Sequence, residues 1–211
     1  ELMNAIETAG IGNIFSAGND GPNNEGVKAP QRINSGLVNT FCVASLNAND
    51  ENLNISTFST RGPTQCPTEI GSSLEIYPEV AAPGQSVRSA SGDDGFDIKS
   101  GTSMAAPHVT GAFLLLKEAF PYLSGEEILL ALYYTATDLG ETGEDNVFGM
   151  GLINAYEAFN YLSINNEPVN PYNVEDICIL EIGNTPNEIT CTESFSPNLI
   201  LKNNGTSSVE G

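Results

Sequence analysis

Apolar positions along this chain follow two rhythms. Short unbroken runs at Ile14-Phe15-Ser16, Phe41-Cys42-Val43-Ala44-Ser45 and Glu79-Val80-Ala81-Ala82-Pro83-Gly84 have the size of buried parallel strands. The last is halted by Pro83-Gly84, and a further strand is expected over 86–90. Helical periods lie around these runs. Residues 1–9 read as a helix that stops at Gly10. Residues 102–120 read as a long helix with Leu114, Leu115, Leu116 and Phe120 on its apolar side, ended by Pro121. Ser124 caps a second helix, with Glu126 and Glu127 in its first turn and Ile128, Leu129 and Leu132 turned inward. A third spans roughly 152–162. Strands alternating with helices predict an α/β fold built on a layered parallel sheet.

The rhythm changes after about Ser163. The stretch from Asn165 to Pro171 is rich in Asn and Pro and reads as a linker. Beyond it, 177–180 and 198–201 read as strands separated by turns. The expected organisation is a first domain over 1–162, a linker over 163–171 and the start of a β-sandwich-like domain over 172–211. That last piece is about 40 residues, short of the roughly 100 a β-sandwich needs, so it reads as truncated. Glu1 stands where Met is usual, and Leu2-Met3-Asn4-Ala5-Ile6 already has the character of mid-helix. Both ends are therefore expected to be cuts.

Composition narrows the partners. Among 211 residues, 27 acidic side chains face 7 basic ones, a formal charge of −20. Such a chain repels nucleic-acid phosphates and anionic membranes, so neither is expected as a partner. No apolar run is long enough to span a bilayer. Cys42, Cys66, Cys178 and Cys191 lack paired metal-ligand spacing, and the single histidine cannot complete a zinc set. Two disulfides are allowed. Cys178–Cys191 is favoured because both lie in one short polar segment; Cys42–Cys66 comes second, with free buried thiols as its alternative. Disulfides would imply an oxidising compartment.

The most specific stretch is Gly101-Thr102-Ser103-Met104-Ala105-Ala106-Pro107-His108-Val109. It sets Ser103 at the start of a helix, where free backbone N–H groups and the positive dipole end favour a developing oxyanion. Gly101 allows close approach of a ligand, and Pro107 is expected within the first turns, where its missing N–H matters least. The bland reading is that Thr102 or Ser103 merely caps the helix. His108 is tempting as the serine's base, yet five helical positions turn about 500° and rise about 7.5 Å, which sends the two side chains to different sides. His108 is therefore expected to be a packed, hydrogen-bonded helix residue.

These residues carry a resemblance. The stretch 101–109 resembles the nucleophile motif of subtilisin-like serine proteases. Four other segments agree, in the family's order: Ser16-Ala17-Gly18-Asn19-Asp20-Gly21, Phe58-Ser59-Thr60-Arg61-Gly62-Pro63, Pro78-Glu79-Val80-Ala81-Ala82-Pro83-Gly84, and Gly149-Met150-Gly151-Leu152-Ile153-Asn154-Ala155. The resemblance covers about residues 1–162. It implies the parallel-sheet, three-layer fold of that family, present in part, and a Ser-His-Asp endopeptidase with chain order Asp, His, Ser. It implies Ser103 as nucleophile and Asn19 as oxyanion donor together with the Ser103 N–H. It further implies that Ser16, Ala17 and Gly18, with Gly101 and Thr102, line the substrate site, the loop over 27–30 contributing its floor.

The family's Asp and His would precede residue 1, so this chain alone is expected to be inactive. Protein or peptide substrates, a monomer, and a secreted or cell-surface location follow from the same resemblance. The resemblance also makes calcium possible, since family members often bind it, but no cofactor and no calcium ligand set is identifiable in the sequence. The alternative is a non-catalytic relative that binds or scaffolds. A lipase-type serine hydrolase is disfavoured because G-x-S-x-G is absent around Ser103.

Overall fold

The computed structural model describes residues 2–22, 27–29, 31, 35–64, 72–92, 95–169, 177–183 and 198–203. It divides the chain into two units, Glu1–Glu167 and Pro168–Gly211.

In the first unit the three apolar runs become the parallel strands β1 (Ile14–Ser16), β2 (Phe41–Leu46) and β3 (Val80–Pro83), in the order β1-β2-β3. Their register sets Phe15 beside Cys42, and Val43 beside Val80. Every residue of β2 is buried, as a continuous apolar run in a parallel sheet requires. Its alternating side chains feed both faces. Phe41 and Val43 join Val80 and Ala82 against the helices, while Ala44 and Leu46 join Ala81 on the other side with Leu53, Ile55, Phe148 and Leu152.

The helices are α1 (Leu2–Thr8), α2 (Thr102–Ala119), α3 (Gly125–Tyr134) and α4 (Ala155–Ser163). The stripe of α2 that meets the sheet is Ala105, Val109, Ala112 and Leu116, at the three- and four-residue spacing of one helical face. Of the leucines expected on the apolar side, only Leu116 is buried, with Phe120 just beyond the helix. Leu114 and Leu115 are exposed, because successive residues turn about 100° and three adjacent positions cannot share a face. Phe120 meets Phe159 of α4 with ring centroids 5.5 Å apart. Ile128, Leu129 and Leu132 of α3 point inward as expected, and Ser124 caps that helix. The expected helix over 152–162 begins later, capped by Asn154, because Leu152 is held in bridges to Ala81 and Thr137.

Pro107 corrects another expectation. It lies inside α2 beyond the first turn, where its missing N–H removes the bond that would have reached the Ser103 carbonyl. Strand β4 (Val87–Ser91) pairs with β5 (Gly95–Lys99) in an exposed antiparallel hairpin that leads into α2. Only the first of these two strands is anticipated from sequence.

The second unit contributes strands β6 (Ile177–Gly183) and β7 (Asn198–Asn203), paired antiparallel. Cys42 is a free, buried thiol, which sets aside the pairing with Cys66. The pairing of Cys178 with Cys191 lies outside the described residues. Among those residues, no helix is long and apolar enough to cross a membrane, and no cluster of three His, Cys, Asp or Glu side chains is arranged to hold a metal.

Candidate active site

Ser103 is the second residue of α2 and is exposed. The first amides of a helix have no acceptor within it, and here each neighbour of the serine is accounted for. The Thr102 N–H donates to Asn19 Oδ1 at 3.0 Å, and the Met104 N–H donates to the Gly101 carbonyl at 2.9 Å. The Ser103 N–H lies between them.

Asn19 sits in the loop that follows β1, more than eighty positions earlier in the chain. Its Oδ1 accepts a second hydrogen bond, from the Thr102 hydroxyl, at 3.0 Å. The same hydroxyl oxygen accepts the Gly18 N–H at 3.1 Å. Thr102 is fully buried, so its side chain is a fixed peg between the two loops. With the amide oxygen of Asn19 occupied twice, its Nδ2 is the end left to donate elsewhere. Gly101 lies against this amide: a Cβ there would stand 3.6 Å from Asn19 Nδ2 and 3.6 Å from Met104 Sδ. The Gly101 N–H donates to the Gly84 carbonyl at 2.8 Å, which ties the end of β3 to the serine turn.

Ser16, Ala17 and Gly18 run from the end of β1 toward Asn19. Ala17 is buried, its N–H bonded to the Val43 carbonyl at 3.0 Å and its carbonyl accepting the Tyr77 hydroxyl at 2.6 Å. Gly18 has φ +104°, a conformation that L side chains rarely adopt. Val27 packs in the same small cluster as Ala17, Cys42 and Tyr77. Glu79 joins this cluster through Cys42, whose N–H its carboxylate accepts at 2.6 Å. Burial pushes its carboxyl up to about 8, against the opposing pull of that hydrogen bond. Burial likewise pushes up the Tyr77 phenol and the Cys42 thiol, and the charge of Glu79 adds to both.

His108 does not meet Ser103 as a base. Its Nδ1–H donates to the Met104 carbonyl one turn back, at 2.9 Å. The hydrogen bond expected for it is present; the expected packing is not, because the residue is exposed. An open cleft of about 410 Å³ borders Ser103, lined by Met104, Pro107 and His108 of α2 and by Ser89, Asp97 and Lys99 of the hairpin.

The fold thus brings Asn19, Gly101, Thr102 and Ser103 together. Thr102, expected to line the substrate site, holds Asn19 through its N–H and its hydroxyl. Tyr77 and Glu79 were not anticipated at all; the one sequence signal was a carboxylate inside an apolar run.

Residues 1–151 match the profile of the subtilase family. Alkaline elastase YaB of Bacillus sp. (strain YaB) is 34% identical over 158 residues, which cover 75% of this chain and 35% of that protein. Subtilisin BL of Lederbergia lenta is 32% identical over 158 residues, covering 75% of this chain and 49% of that one. A shorter stretch of 66 residues is 53% identical to an extracellular serine protease of Serratia marcescens, covering 31% of this chain and 6% of that protein. The chain spans less than half the length of each of these relatives. With a family match over most of its length and the serine motif in place at the start of α2, the chain belongs to the subtilase family.

Proposed function

We propose that this chain supplies the nucleophile and the oxyanion site of a serine endopeptidase. Ser103 Oγ attacks the scissile carbonyl carbon and passes its proton to a base. The new C–O bond places negative charge on the carbonyl oxygen, which accepts hydrogen bonds from Asn19 Nδ2 and the Ser103 N–H. Collapse of the tetrahedral intermediate expels the amine and leaves an acyl-serine, which water then hydrolyses. The small residues Ser16, Ala17 and Gly18 form one wall for the side chain before the scissile bond, with room for a large apolar group.

The observation that carries this reading is the double hydrogen bond from Thr102 to Asn19 Oδ1. It fixes the orientation of the amide before any substrate arrives, which is the preorganisation that oxyanion stabilisation needs.

The base and the carboxylate that orients it come from residues outside this chain. No histidine other than His108 is present in the sequence, and its ring is turned to Met104. We further read the protein as secreted and monomeric, acting on protein or peptide substrates, with the β6–β7 hairpin as the start of a β-sandwich-like accessory domain.

A fluorophosphonate probe tests the central claim. It is expected to label Ser103 in the whole protein and to leave this isolated chain unlabelled. Strong labelling of the isolated chain would overturn the assignment of an outside base. An unlabelled whole protein that still bound peptides would favour the non-catalytic, scaffolding alternative.

A further inference from the structure

The amide of Asn19 is held at its oxygen by Thr102, but Asn19 itself is exposed and rides on a loop. Its donor geometry therefore depends equally on what holds the two peptide groups that flank it. Both are held by one residue. The Thr60 N–H donates to the Gly18 carbonyl at 3.0 Å, and Thr60 Oγ1 accepts the Asp20 N–H at 3.1 Å. Thr60 is fully buried, and its branched Cβ restricts the hydroxyl to few rotamers. A Cβ on Gly18 would stand 2.8 Å from Thr60 Oγ1, so the glycine clears the space that the hydroxyl fills. The adjoining Gly21 N–H donates to the Phe58 carbonyl at 2.9 Å, which anchors the far end of the same loop.

We propose that Thr60 is a positioning residue for the oxyanion donor, clamping the backbone on both sides of Asn19 while Thr102 sets its side chain. This rests on the reading of Asn19 as that donor. An oxyanion donor works only within a narrow distance range, and small misplacements lower the rate steeply. Thr60 is fully buried beneath the loop, so its influence should pass through Asn19. Losing Oγ1 leaves the Asp20 N–H to water, since Asp20 is exposed. The fold should tolerate the change while the loop loses its setting.

The test is a double-mutant cycle on the whole protease with a peptide p-nitroanilide substrate. Thr60→Val, nearly isosteric, is expected to lower kcat about tenfold with KM little changed, the size of one hydrogen bond's net contribution. Asn19→Ala is expected to lower kcat by about 10²–10³, the magnitude known for the corresponding donor in subtilisin. In the Asn19→Ala background, Thr60→Val should add almost nothing. An equal loss in both backgrounds, or no loss in either, overturns the positioning role while leaving the role of Asn19 intact. An Asn19→Ala enzyme with unchanged kcat removes the reading beneath both. Should Thr60→Val fold poorly, Thr60→Ser and Thr60→Ala make the same comparison, since they differ only in the hydroxyl. Ser is expected to keep kcat near the parent and Ala to lose it; matching values for the two overturn the proposal.

Discussion

Replacing Glu79 by Gln should make the protein more stable, and only at the alkaline end. The carboxyl is buried, accepts the Cys42 N–H at 2.6 Å, and titrates at about 8 instead of the ordinary 4.5. Burial is the main cause; the hydrogen bond from Cys42 opposes it, and the charge of Glu144 reinforces it. The folded state therefore holds its proton more tightly than the unfolded chain does. Stability is unaffected below the lower value, falls as pH rises between the two, and levels off above the higher one. The slope is about 1.4 kcal/mol per pH unit, so the window accounts for a loss on the order of 4–5 kcal/mol. Gln is neutral throughout, is nearly the shape of the protonated acid, and can still accept the Cys42 N–H. The difference in unfolding free energy between Glu79→Gln and the parent should be near zero at the acid end and grow to several kcal/mol by about pH 8. Guanidinium unfolding of the whole protein from about pH 4.5 to about pH 9 measures it. A Ser103→Ala background guards against self-digestion by the proposed nucleophile. Other titrating groups cancel in the difference. A gap that stays constant with pH would refute the reasoning, and so would a parent protein that gains on the variant as pH rises. Either would mean that the carboxylate is charged and satisfied where it lies.

Two further predictions concern the scaffold. Ser124 and Glu127 form a reciprocal cap, with the Glu127 N–H on Ser124 Oγ at 3.2 Å and the Ser124 N–H on Glu127 Oε2 at 2.7 Å. Ser124→Ala should destabilise by about 1 kcal/mol in chemical unfolding, and an unchanged midpoint would contradict the cap. Gly151 has φ +109°, and a Cβ there would stand 2.0 Å from the Thr137 carbonyl oxygen. Gly151→Ala should cost at least about 3 kcal/mol through backbone strain and overlap combined. A loss below about 1 kcal/mol would show that the segment relaxes freely.

What could be read from the sequence follows from the range over which each cause acts. Strands β1, β2 and β3 were legible because burial on both faces leaves an unbroken apolar run, and α3 because its cap is local. The stretch around Ser103 was legible because a helix start announces itself within a few residues. The outward turn of Leu114 and Leu115 was available from helical geometry alone; a run of three leucines concealed it. Strand β5 alternates Phe96, Asp97, Ile98 and Lys99 after a turn-forming stretch, a local strand signal on a hairpin exposed on both faces. Leu152 reads locally as helix, and its bridges to Ala81 and Thr137 override that preference. Thr60 had no signal of its own. Its meaning comes from Gly18 and Asp20, about forty positions away, and no local pattern marks a threonine that serves another loop. The same holds for the Thr102 contact with Asn19: two separate segments mark the two residues, but only the fold shows that one holds the other.

The free thiol of Cys42 has a use of its own. It is fully buried in the cluster with Ala17, Val27 and Tyr77, and burial pushes its pKa well above the usual thiol range. A thiol-reactive reagent in the medium therefore finds no thiolate to attack while the sheet is closed. Modification at this position must wait for β2 and its surroundings to open. Its rate, followed at Cys42 by peptide mapping, then becomes a clock for how often this part of the sheet opens.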